Sequence, residues 1–186
     1  MSEWLALVAV VMVGLSGLPG LLLHRESNMG QHIATSMNLV ASILGIWSAL
    51  RGLLVGAGSG ISLPLAIPGG EISIVVDPLS AAFLLPIFLV SGLSAVFGEE
   101  YWKQSERPRN GRRLRVFYGL LTAGLALLVV SRNGVCFLIA WEFMALSCFF
   151  AMTTDDDQKE VREAGWIYFA STHLSTLILF AFFPIY

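Results

Sequence analysis

Charge is what this sequence has least of. Only 13% of its 186 residues are Asp, Glu, Lys or Arg, about half the usual share for a soluble domain, roughly 25%. Positive charge is not in excess either: 11 Lys plus Arg against 13 Asp plus Glu give a formal net charge of −2, which argues against a nucleic-acid partner. Cysteine is nearly absent. Cys136 and Cys148 both sit inside apolar runs with no His or Asp at ligand spacing, so neither a zinc site nor a disulfide framework is expected. No internal repeat or low-complexity segment occurs. What remains is apolar: 56% hydrophobic residues, a mean hydropathy of +0.75 and 18 glycines. A water-soluble domain of this length has too little interior to hide so much apolar surface, so the composition predicts an integral membrane protein.

A bilayer core about 30 Å thick requires about 20 mostly apolar residues per crossing helix. Six runs meet that length, at 4–23, 33–54, 79–97, 114–131, 134–152 and 164–183. The expected fold is therefore an all-α integral membrane protein of six transmembrane helices. Met1-Ser2-Glu3-Trp4 carries an acid and no base, so the first run reads as a span rather than a cleaved signal. Arg25, Lys103, Arg107, Arg109, Arg112, Arg113, Arg115, Lys159 and Arg162 fall on one side, and only Arg51 and Arg132 on the other. The positive-inside rule makes the richer side cytoplasmic. Both termini are then extracytoplasmic, in a multi-pass protein of the inner (plasma) membrane. Arg51 and Arg115, at span ends, have stems long enough to snorkel to the interface.

Two loops carry structure. Segments 61–67 and 71–76 alternate apolar and polar residues around Pro68-Gly69-Gly70, which predicts a short extracytoplasmic β-hairpin near 61–76 lying on the outer surface. Pro64 would restrict its strand to an edge. The segment 99–113 is polar and basic, a solvated loop that sets orientation and meets anionic headgroups. Asp155-Asp156-Asp157 reads as a solvated turn rather than a metal site.

Two ionisable side chains stand where lipid should forbid them. Glu142 falls near the middle of the fifth span and His173 near the middle of the sixth. An acid at that depth costs at least ~2.5 kcal/mol, so Glu142 must face another helix, a cavity or a file of waters. Two readings stand for it: a carboxyl that gains and loses a proton as a neighbouring cation moves, or a neutral glutamate that only joins helices through hydrogen bonds. Imidazole titrates near neutral pH and suits a relay. With Glu142 at the same depth and Ser171, Thr172, Ser175 and Thr176 alongside, His173 reads as part of a hydrated polar track. Trp141, Trp166 and Tyr168 read as packing or interfacial aromatics.

Several of these stretches resemble one family. Asp77-Pro78-Leu79-Ser80 opens the third span, Trp141-Glu142-Phe143-Met144-Ala145-Leu146-Ser147 lies in the fifth, and Ala164-Gly165-Trp166-Ile167-Tyr168-Phe169 leads to Thr172-His173 in the sixth. Their order and spacing resemble the antiporter-like proton-translocating membrane subunits of respiratory complex I, multisubunit sodium/proton antiporters and membrane-bound hydrogenases. Within that family the fifth and sixth spans look most like the hydrogenase branch, of the hydrogenase-4 component B and formate hydrogenlyase type. The resemblance implies that 1–186 is a single membrane domain, the N-terminal part of a longer subunit built on inverted helix repeats. It implies that Glu142 and His173 lie in a proton path, and that protons, or sodium ions, are what moves. Other membrane subunits of a respiratory or hydrogenase complex, together with the lipid bilayer, are then the partners. No cofactor is expected in this chain, since no flavin, iron–sulfur or nickel ligand set is present and redox work belongs elsewhere in the complex. The family's lysine partner for the glutamate lies on a later helix, and no lysine occurs in any span of this sequence.

Two other functions compete. The chain could be a noncatalytic, truncated scaffold packed through small residues such as Gly119, Ala123, Gly124 and Ala126. An intramembrane serine protease would draw its nucleophile from Gly14-Leu15-Ser16-Gly17 and its base from His173.

Overall fold

A computed structural model describes residues 1–23, 28–56, 58–64 and 71–182. Arg25, the turn at Pro68-Gly69-Gly70, residues 65–67 and the last residue of the sixth expected span lie outside the described residues.

Among the described residues, six helical segments are long and apolar enough to cross a membrane. The first is made of α1 (Ser2–Leu15) and a short α2 (Pro19–Leu22), followed by α3 (Met29–Val55), α4 (Pro78–Tyr101), α5 (Asn110–Val130), α6 (Gly134–Met152) and α7 (Lys159–Phe182). The protein is a multi-pass membrane protein. Its helices generally outrun the apolar stretches: α7 begins in Lys159-Glu160, five residues before the expected 164, and α4 runs on to Tyr101. Hydropathy registers only the part of a helix that suits lipid, whereas backbone hydrogen bonding continues the helix into polar sequence.

Local chemistry fixes the helix ends. Asp77 caps α4 by accepting a hydrogen bond from the Ser80 amide at 2.7 Å, with Pro78 in the first turn, where its missing N–H costs nothing. Asn133 does the same for α6 through the Cys136 amide. At the C-terminal end of α3, Gly56 takes φ +87°, a conformation that favours glycine.

The hairpin forms: β1 (Ile61–Pro64) pairs antiparallel with β2 (Glu71–Ile74), which stops two residues short of the expected 76, and Ile61 lies opposite Ile74. It does not simply lie on the surface. The Val75 amide donates to Val130 O, the Arg132 amide donates to Ser73 O, and Ile74 and Val76 are buried. The strand nearer the bundle is thus gripped by the α5–α6 connection, and β1 keeps the open edge that Pro64 can occupy.

Small residues let the helices approach closely. A Cβ on Gly45 of α3 would overlap the Phe88 ring of α4, and one on Gly17 would meet the α5 backbone at Val116. The core of α1, α3, α4 and α5 is built from alanines and valines around Leu84 and Phe88. Large apolar side chains instead face outward: Trp47, Leu93, Phe97, Trp166 and Leu177 are exposed. That inversion suits lipid, where apolar burial between helices adds little and close packing supplies the attraction.

Candidate proton-relay site

The fifth and sixth spans, α6 and α7, meet side by side, and the ionisable pair lies at their contact. His173 Nε2 is 3.0 Å from Glu142 Oε1. The other imidazole nitrogen, Nδ1, is 3.0 Å from the carbonyl oxygen of Phe169, one helical turn back. Thr176 closes the other flank: its hydroxyl donates to Glu142 Oε2 at 3.0 Å, or to Thr172 O at the same distance.

Valence determines the protonation pattern. A carbonyl oxygen can only accept, so Nδ1 carries a hydrogen. The Nε2···Oε1 contact then holds one proton. Either the carboxylic acid donates to a neutral imidazole, or an imidazolium donates to a carboxylate. Both forms keep the same heavy-atom positions, so the pair can transfer this proton without rearranging the helices. The Phe169 ring lies against the imidazole, with 3.9 Å between centroids, and fixes its plane.

Helical spacing divides the polar residues of α7. Thr172, His173 and Thr176 fall on the side towards Glu142, and Thr176 is buried. Ser171 and Ser175 are exposed on the far side, and the Ser175 hydroxyl donates back to Ser171 O within the helix. The structure joins Glu142, His173 and Thr176; the Thr172 hydroxyl donates to Tyr168 O and Phe169 O within its own helix, and the two serines stand apart. The pair itself is half-open: Glu142 keeps 30% and His173 37% of its side-chain surface.

Other candidates resolve differently. The Ser16 hydroxyl donates to Val13 O at 2.7 Å, while the side chain facing His173 Nε2 is the Glu142 carboxylate; the serine-protease pairing is not formed. Cys136 is buried with its Sγ against the Ser131 hydroxyl. The acidic turn is tied down by arginines: Arg113 bridges Asp156 at 2.9 Å, and Arg162 donates to the Asp156 and Asp157 carbonyls. The Arg113 hydrogen bond holds the Asp156 carboxyl below its ordinary range. Among the described residues, no cluster of three or more His, Cys, Asp or Glu could hold a metal. Arg115 spends its guanidinium on Gln104 Oε1 and Trp102 O.

Over 146 residues the chain is 25% identical to hydrogenase-4 component B of Escherichia coli (strain K12). That stretch is 78% of this chain but only 21% of the relative, so the chain spans about a fifth of that protein's length. No family model matches the chain.

Two polar features escaped the sequence reading. Glu3, at the start of α1, is 98% enclosed, since only 2% of its surface remains exposed. Its Oε2 takes hydrogen bonds from the N-terminal ammonium and from Ser2, and a Cβ on Gly58 would collide with Oε1. An acid at a chain start reads as solvated, and nothing local signals the fold of residue 58 over it. The second is a column inside the bundle, where Ser42 and Ser91 both donate to Asn38 Oδ1 and Ser91 meets Thr122. Here a signal existed. Gln31, Thr35, Asn38 and Ser42 recur at spacings of four, three and four, one face of a helix, and all four are buried.

Proposed function

We propose that this chain is a membrane-embedded part of a hydrogenase-type complex, in which Glu142 and His173 carry a proton between aqueous routes while electron transfer proceeds in other subunits. The observation that carries this reading is the 3.0 Å contact between Glu142 Oε1 and His173 Nε2, which has room for one proton. An acid in the middle of a membrane-spanning helix is costly, and an acid–imidazole pair that can exchange its proton without helix movement gives that cost a use. The similarity to hydrogenase-4 component B supports the assignment to such a complex. The small share of that relative which is matched is consistent with reading the chain as one domain of a longer subunit. Its partners would be further membrane subunits, and its cargo protons or sodium ions. The excess of bases at the α4–α5 end supports a cytoplasmic placement for that end in the inner membrane, with Met1 on the opposite side.

The same hydrogen bonds would also join α6 to α7 in a passive scaffold, and one substitution separates the two roles. Glu142→Gln retains an oxygen and an NH2 group to bond His173 and Thr176 but cannot carry a proton. In the complete complex it is expected to assemble normally and to abolish proton movement coupled to turnover, measured as acidification by inverted vesicles. Unchanged acidification would refute the proton role and leave the scaffold.

A further inference from the structure

Between α3, α4 and α5, away from Glu142, lies a cavity of about 110 Å³. About 10–15 Å³ of such space admits one water, so it has room for several. Glu99 and Arg115 stand at its outer end; Thr35 and Asn38 line its wall further in. Asn38 is 98% enclosed, with 2% of its surface left exposed. Both of its hydrogen bonds from serines use the side-chain oxygen, which leaves its NH2 group to the cavity that it lines. Filled by an acyl chain, that cavity would strand a donor with nothing to bond.

The polar column continues inward from Asn38. Ser42, Ser91 and Thr122 lie within about two residues of the middle of α3, α4 and α5, at the ends of the bonds already described. The Tyr118 hydroxyl, at the cavity wall, donates to Ser91 O. Beyond the column the bundle is closed by Leu84, Phe88, Ala126 and Val130, all fully buried. The opening lies at the α4 face that carries Ser94 and Gly98. Ser94 is exposed, and a Cβ on Gly98 would meet nothing within 4 Å.

We propose that this cavity is an aqueous inlet: a chain of ordered waters that enters between α4 and α5 and hydrates the Asn38–Ser91–Thr122 column to the middle of the bundle, independent of the Glu142–His173 pair. Its inner wall offers amide and hydroxyl groups rather than acids or histidines, so it takes up water and small neutral hydrogen-bonding solutes. At its mouth the Glu99 carboxylate, 2.7 Å from His32 Nδ1, and the Arg115 guanidinium carry opposite charges, so it favours neither sign of ion.

Cysteine accessibility tests the proposal in the membrane-embedded chain with Cys136→Ser and Cys148→Ala as background. A thiol reacts with a charged methanethiosulfonate only as the thiolate, which requires water. Thr35→Cys and Ser94→Cys are expected to react roughly tenfold or more faster than Ala41→Cys, which points into the dry core. Gly98→Leu, which fills the open side of α4, is expected to slow Thr35→Cys to the rate of Ala41→Cys. Equal rates at Thr35 and Ala41, or modification of Thr35→Cys by a lipid-soluble maleimide alone, would overturn the proposal in favour of a dry or acyl-filled cavity. Unchanged labelling in the Gly98→Leu background would overturn the route between α4 and α5. Should Thr35→Cys fail to fold, the Ser94→Cys rate, with and without Gly98→Leu, decides the same points. None of these outcomes depends on Glu142, so the inlet and the proton relay can fail separately.

Discussion

At the scale of single residues, the same amino acid carries opposite consequences depending on what faces it. Gly45 is pressed so closely under Phe88 that an added Cβ would overlap the ring, while Gly98 in the adjoining helix faces open space. Gly45→Ala is therefore expected to force α3 from α4 and to abolish a monodisperse species in detergent size-exclusion chromatography. Gly98→Ala is expected to be neutral or to stabilise by roughly 0.5–1 kcal/mol, since alanine favours helix and nothing must move. Thermal unfolding in the same detergent would compare the two. The Glu142 and His173 positions were legible in the sequence, because an ionisable group inside an apolar run is conspicuous. Their contact was not, nor was the separation of Ser171 and Ser175 from it. Both depend on how α7 is rotated against α6, and hydropathy is blind to that angle. Glu3 was missed for a related reason: its enclosure comes from residue 58, far along the chain.

At the scale of elements, the apolar runs identified all six spans, and the caps explain where helices begin. The break between α1 and α2 was not foreseen, since Ser16, Gly17 and Leu18 keep the hydropathy of a continuous span. Past the break, the far end of α2 is held by a distant residue. Arg112 on α5 donates to the carbonyl oxygens of Gly20, Leu21 and Leu23, the unpaired acceptors at the end of α2. Arg112→Ala is expected to lower stability by about 1.5–3 kcal/mol, the range for hydrogen bonds to a charged group, and to speed amide exchange in the short α2. Arg112→Lys should recover only part, because an ammonium cannot present the forked guanidinium geometry. Loss of stability without faster exchange in α2 would show that the arginine acts elsewhere.

At the scale of the whole molecule, the end bearing the hairpin is one connected assembly. Asp77 caps α4 and bridges Arg132 at 2.8 Å; Arg132 also donates to the Ser80 hydroxyl, and its backbone amide holds β2. The Ser80 amide, and secondarily the Arg132 guanidinium, hold the Asp77 carboxyl below its ordinary value of 3.8. A carboxyl lowered by folding stabilises the folded state above its unfolded value, and that contribution disappears as pH falls through the lower folded value. Stability is thus expected to hold down to about pH 4 and to decline below it. Asp77→Asn should flatten that decline, as measured by thermal unfolding across the acid range. An unchanged acid profile would show that other carboxyls control it.

Composition and hydropathy determined that this chain lives in a membrane, how many times it can cross, and which two ionisable groups lie at depth, because each follows from the cost of moving one residue out of water. Which groups meet followed only from packing. A helix can turn about its axis without changing its hydropathy, so the Glu142–His173 contact, the enclosure of Glu3 and the polar column through α3, α4 and α5 were decided when small residues set how closely, and on which faces, the helices could touch.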